Sequence, residues 1–241
     1  MTHLDDVLLI AAHSARSQAY VQTLAAHGLM PSHALLLGEA PQSPTTPSEP
    51  ARELMGVLLP DLGIPLSRTL ADCDVPITCL ATRDINYQQV IDAVRERAPR
   101  LVIFSGYGGQ IVKPPLIELG IPLLHVHSGW LPDYRGSTTV YYSLLEEGVC
   151  AASAILLDTQ IDTGPVLARK RYPAPPLGTD IDRRYDTAIR ADLLLEVLRR
   201  YQASGELDVV LQQEAEQGNT YYVIHPVLKH LALLSLPGAA D

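Results

Sequence analysis

An open, doubly wound and mostly parallel α/β sheet in one domain is the fold this sequence predicts, and three observations point to it. Continuous apolar runs of buried-strand length (residues 7–11 and 101–104) alternate with segments whose apolar residues recur at helical spacing. The alternation persists through most of the 241 residues, which is the pattern of parallel crossovers rather than of hairpins. A chain of this length with 47% hydrophobic residues buries a substantial core in a single unit.

Residues 7–11 are the first buried strand. Ser14 is placed to cap a helix in which Ala19, Tyr20, Leu24 and Ala25 share a face, and Gly28 and Pro31 end it. With a second strand at 34–37, the opening unit implies a right-handed parallel crossover. Prolines at 41, 44, 47 and 50 exclude helix and central strand, so 41–50 reads as a surface loop opening a less regular stretch to about residue 75. A strand at 77–80, an amphipathic helix at 86–97, a strand at 101–104, a short helix at 116–119 and a strand at 123–127 follow. Helix 139–147, strands 151–157 and 166–172, and a long helix at 180–201 complete the alternation. The tail reads as a short strand and a short helix, with His225 and His230 as structural or surface residues.

Composition excludes several classes. No apolar run reaches the roughly 18 residues that span a bilayer, and Asp5 and Asp6 stand where a signal peptide carries positive charge. A cytoplasmic protein without membrane contact is therefore expected. A net charge of −9 argues against a broad nucleic-acid footprint. Cys73, Cys79 and Cys150 are scattered without metal or redox spacing and read as reduced thiols.

Three places at strand ends carry chemistry. In Leu123-Leu124-His125-Val126-His127 the side chains alternate, so both imidazoles point to one side. In Ile161-Asp162-Thr163-Gly164, and at Asp158 nearby, an aspartate is either functional or an ordinary turn residue. In Ser105-Gly106-Tyr107-Gly108-Gly109 the glycines allow a ligand to approach the backbone.

The order of these segments, with Leu131-Pro132-Asp133-Tyr134-Arg135-Gly136 between the second and third, resembles the formyltransferase superfamily. Its glycinamide ribonucleotide, methionyl-tRNA and sugar N-formyltransferases carry Asn-x-His at a strand end, a Leu-Pro-x-Tyr-Arg-Gly type segment and a later Asp-(Thr/Ala)-Gly turn. The resemblance implies a Rossmann-like catalytic domain over residues 1–205, with residues 206–241 an extension packed on it. It implies that His125, His127 and Asp162 are catalytic and that 10-formyltetrahydrofolate is the formyl donor. Ser105, Gly106, Tyr107, Gly108, Gly109, Gln110 and Ile111 would then line the pterin. Ser14, Arg16 and Arg135 would contact the substrate, a small-molecule amine such as an amino sugar or modified amino acid. A tRNA acceptor fits poorly, because little chain follows residue 205, and a homodimer is an open expectation.

One departure matters, because His125 stands where the family has asparagine. Formyl transfer builds an oxyanion while the amine loses a proton and the donor nitrogen gains one. His127, with an imidazole pKa of about 6.5, suits the proton shuttle, and Asp162 orients it. His125 is expected to offer the oxyanion an N–H in place of the asparagine amide. The same three residues are also a conceivable metal-ligand set, although no metal is expected. A hydrolase releasing formate and a non-catalytic binding protein are the remaining alternatives.

Overall fold

The computed structural model describes residues 1–41, 46–214 and 217–238. In chain order its first elements are β1 (Thr2–Ala12), α1 (Ala15–Ala26), β2 (Leu29–Leu37), β3 (Arg52–Leu54), β4 (Val57–Leu59), α2 (Leu66–Asp72) and β5 (Ile77–Leu80). Next come α3 (Gln88–Arg97), β6 (Leu101–Ser105), α4 (Pro114–Ile117), β7 (Leu123–His127), β8 (Tyr134–Gly136), α5 (Thr139–Glu147), β9 (Val149–Leu156) and β10 (Val166–Pro173). A π-helical turn (Ile181–Tyr185) leads into α6 (Asp186–Ser204), followed by β11 (Asn219–Tyr221) and α7 (Pro226–Leu234).

The central sheet has seven strands in the order β10-β9-β7-β6-β1-β2-β5. Strands β7, β6, β1, β2 and β5 are parallel, whereas β9 and β10 add as an antiparallel edge. The fold is thus the expected α/β type with a mostly parallel sheet.

Alternation along the strands builds two cores. Leu9 and Ala11 of β1 and Leu124 and Val126 of β7 face α1, α5 and α6. Leu8, Ile10, Phe104 and Leu123 face the other way, onto Val90, Ile91 and Val94 of α3 and Leu116 of α4. Helix α1 begins where expected, since the Ser14 hydroxyl accepts from the Ser17 N–H at 3.3 Å.

The irregular stretch after β2 is more ordered than the sequence suggested. It holds the β3–β4 hairpin and α2, while residues 42–45 of the expected loop lie outside the described residues. Strand β2 starts at Leu29, and its pairing with β1 shifts register between Leu4 and Leu8, next to Pro31, which has no N–H to give the ladder.

Residues after α6 return across the sheet edge. Strand β11 pairs in parallel with β8, and Leu211 bridges Val166 of β10. His225 caps α7, accepting from the Val227 N–H at 3.2 Å, so its role is structural.

Candidate functional site

Because Leu124 and Val126 point into the α1/α6 core, His125 and His127 must point to the opposite face of β7. There a small cluster of Leu131, Ile155 and Val166, with Leu211 against it, roofs the sheet instead of a helix. Strand β9 runs antiparallel to β7, with Leu156 opposite Leu124 and Ser153 opposite His127. The β9–β10 connection therefore doubles back along the sheet face, bringing Asp162 to the end of β7.

The Asp162 carboxylate lies 3.3 Å from His127 Nδ1, with His127 buried and Asp162 largely shielded. The same carboxylate oxygen accepts the Gly136 N–H at 3.0 Å. On the other side of the ring, Nε2 is 2.7 Å from the Tyr134 carbonyl and 3.4 Å from the Thr139 hydroxyl. Gly129 makes this packing possible, since a Cβ there would lie 2.9 Å from the Tyr134 carbonyl and 3.0 Å from His127 Nε2. Asp158 is the turn residue it resembled, accepting from Gln160 N–H and the Thr163 hydroxyl.

His125 differs in every respect. It is half-buried, and its Nδ1 lies 3.3 Å from the Phe104 carbonyl. Burial, then Arg16, Arg190 and His127, push its pKa well below the ordinary imidazole value. A neutral ring has one N–H, and a carbonyl only accepts, so this contact assigns the proton to Nδ1. Nε2 then presents a lone pair, and no hydrogen bond reaches it among the described residues. In this tautomer the ring is an acceptor, in contrast to the N–H donor expected from the sequence.

This depression has a consequence for stability. An unfolded His125 takes up a proton near pH 6.5, before the folded ring does, so its contribution is full above that pH. The contribution is lost as pH falls from about 6.5 through the folded value. Melting temperatures measured from pH 7 to 5 should therefore decline less steeply in His125→Asn than in the wild type. Parallel declines would contradict the assignment.

Two arginines and one carboxylate sit behind this face. Arg190 of α6 donates to the Val126 carbonyl at 2.8 Å and pairs with Asp186 at 3.4 Å, and Asp186 also accepts from the Ser128 hydroxyl. Arg16 donates to the Ser105 hydroxyl at 3.1 Å and to the Gly106 carbonyl, and burial together with Arg190 pulls its pKa down to about 10. Arg190 and Asp186 were missed in the sequence, although a charged i, i+4 pair among Ile189, Leu193 and Leu194 was the available signal.

The other sequence-derived residues are placed as follows. Ser14 caps α1, and Arg16 ties the β1–α1 loop to the end of β6. Arg135 is buried and donates to Gln213 Oε1 at 3.1 Å and the Glu214 carbonyl at 2.9 Å, so it faces the C-terminal segment. Along residues 105–111, Tyr107 hydrogen-bonds the Leu37 carbonyl beneath Arg83. A Cβ on Gly108 or Gly109 would meet open space, and Ile111 is exposed. Gln110 donates to the Arg83 carbonyl while its Oε1 is a buried acceptor without a partner. Among the described residues no group of three His, Cys, Asp or Glu is arranged to hold a metal ion, and no helix is long and apolar enough to cross a membrane.

The sequence profile described as Formyl transferase matches residues 60–191. The chain belongs to the formyl transferase family. A methionyl-tRNA formyltransferase from Chloroflexus aurantiacus is 30% identical over 168 residues, covering 65% of this chain and 53% of that one. The chain thus spans about half the length of the curated relatives it matches. In structure, a sugar N-formyltransferase from Shewanella sp. aligns with a TM-score of 0.58 at 15% identity, over 95% of this chain and 87% of that one. HypX from Aquifex aeolicus, in complex with tetrahydrofolic acid, aligns with a TM-score of 0.57 at 14% identity, over 92% of this chain and 30% of that one. At these identities the two structures speak for the formyl transferase fold.

Proposed function

We propose that this chain transfers a formyl group from 10-formyltetrahydrofolate to the amine of a small molecule. The observation that carries the reading is the His127–Asp162 contact with the open Nε2 of His125 on the same sheet face. A small acceptor is favoured by the net charge of −9, which offers little to an anionic tRNA backbone.

When bound, the donor supplies an activated one-carbon acyl group. The residues at 105–111 fit a pterin, with open space at two glycines, an exposed apolar Ile111 and the unpartnered Gln110 acceptor for a ligand N–H. His125, with Nδ1 turned to the Phe104 carbonyl, would accept at Nε2 the proton that an acceptor amine releases. His127 lies between two acceptors, the Asp162 carboxylate at Nδ1 and the Tyr134 carbonyl at Nε2. Its Nε2 edge, between the Tyr134 carbonyl and the Thr139 hydroxyl, is where this chain would move a proton at a bound donor's leaving nitrogen and offer an N–H to its formyl oxygen. The proton on His125 then restores the balance through solvent. In this reading residues 1–205 form the catalytic unit and 206–241 an extension packed on it.

The direct test of donor binding is thermal. The analogue 5-formyltetrahydrofolate at roughly 100 times its Kd should raise Tm by about 5–10 °C. An unchanged Tm at saturating ligand would remove the folate reading.

A further inference from the structure

Gln213, outside the segment matched by the family profile, occupies a junction that no catalytic motif anticipates. Its Nε2 donates to the Asp162 carbonyl at 3.1 Å and the Gly164 carbonyl at 2.7 Å. Its Oε1 accepts from Arg135 of β8 at 3.1 Å. One amide thus joins the aspartate turn to the strand that supplies two further contacts of the His127–Asp162 pair. Gly136 N–H holds the carboxylate, and the Tyr134 carbonyl holds the ring.

The turn needs such a fastening. Asp162 has φ +54°, a left-handed conformation that a non-glycine residue keeps only when its surroundings enforce it. Gly164 is pressed so closely on the Leu156 carbonyl that a Cβ would lie 1.8 Å from it. The segment carrying Gln213 is itself anchored on both sides, by Leu211 on Val166 and by β11 on β8.

We infer that Gln213 is a positioning residue, through which the C-terminal segment sets the distance between Asp162 and His127. This rests on the formyl-transfer reading for its kinetic consequence but not for its geometry.

The test compares Gln213→Ala and Gln213→Glu with Leu236→Ala, a buried but remote control. Glutamate keeps the acceptor for Arg135 and loses both donors to the turn. Both Gln213 variants should lower kcat roughly 10- to 100-fold, the scale of a 1 Å misplacement, with the KM of the formyl donor little changed. Combined with Asp162→Asn, Gln213→Ala should add little further loss, because both act through the same carboxylate. The ring-nitrogen NMR signals of His127 and the exchange protection of the Gly136 amide should change in both variants and not in the control. Losses of kcat that match the control at equal Tm, multiply with Asp162→Asn, or leave the His127 signals unmoved would overturn the inference. If the wild type transfers no formyl group, the functional reading fails, and the NMR and exchange signals alone decide the positioning role.

Discussion

Replacing His127 with alanine is expected to lower kcat for formyl transfer by roughly 10²–10⁴, the usual cost of losing a positioned acid–base group. The ring touches Asp162, the Tyr134 carbonyl and the Thr139 hydroxyl together. Alanine also leaves the Tyr134 carbonyl without this partner, so some stability is lost with the activity. His127→Gln separates the two effects, since its amide can still donate to that carbonyl but cannot hold or release a proton. Steady-state kinetics well below Tm should find both variants impaired in kcat, with the glutamine protein the more stable. A glutamine variant with near wild-type kcat would mean that the ring is a structural buttress.

Asp186→Ala is the substitution with the largest expected effect on folding. Asp186 and Arg190 are both buried, and Arg16 lies close enough to lose affinity for its proton to Arg190. Removing the carboxylate leaves Arg190 charged and unpaired on the inner face of α6, at a cost of about 3–5 kcal/mol. The corresponding fall in Tm is roughly 6–20 °C for a domain of this size. Replacing the pair, as in Asp186→Leu with Arg190→Met, should recover much of the loss, because an apolar pair of similar volume carries no stranded charge. A fall under about 1 kcal/mol for Asp186→Ala, measured by urea unfolding, would show that solvent reaches the guanidinium.

Much of this was legible where local pattern and tertiary context agree. Strands β5 and β7 and helix α5 lie at the residues their apolar periodicity marks. The β3–β4 hairpin was not, because its strands have three residues each, too few for a period. Helix α2 follows Pro65 without a side-chain cap, so its start carries no capping signal. The HxH strand and the Asp162 turn were found by order and spacing, yet their roles depend on partners remote in sequence. His125 becomes an acceptor because the Phe104 carbonyl, on the neighbouring strand β6, claims its Nδ1 proton. Asp162 reaches His127 because β9 runs antiparallel to β7, which a reading of parallel crossovers did not foresee. Gln213 carries no local mark, since an amide in an irregular segment becomes meaningful only when the chain returns to the sheet edge.

The most direct test follows the formyl carbon itself. The purified chain is given 10-formyltetrahydrofolate labelled with ¹³C in the formyl group, with and without a panel of amino sugars and amino acids, and the products are read by NMR. The account predicts that label appears in an N-formyl amide only when a suitable amine is present, and that His125→Asn and His127→Ala suppress it. Label released as formate at the same rate with or without amine would contradict it and identify a hydrolase.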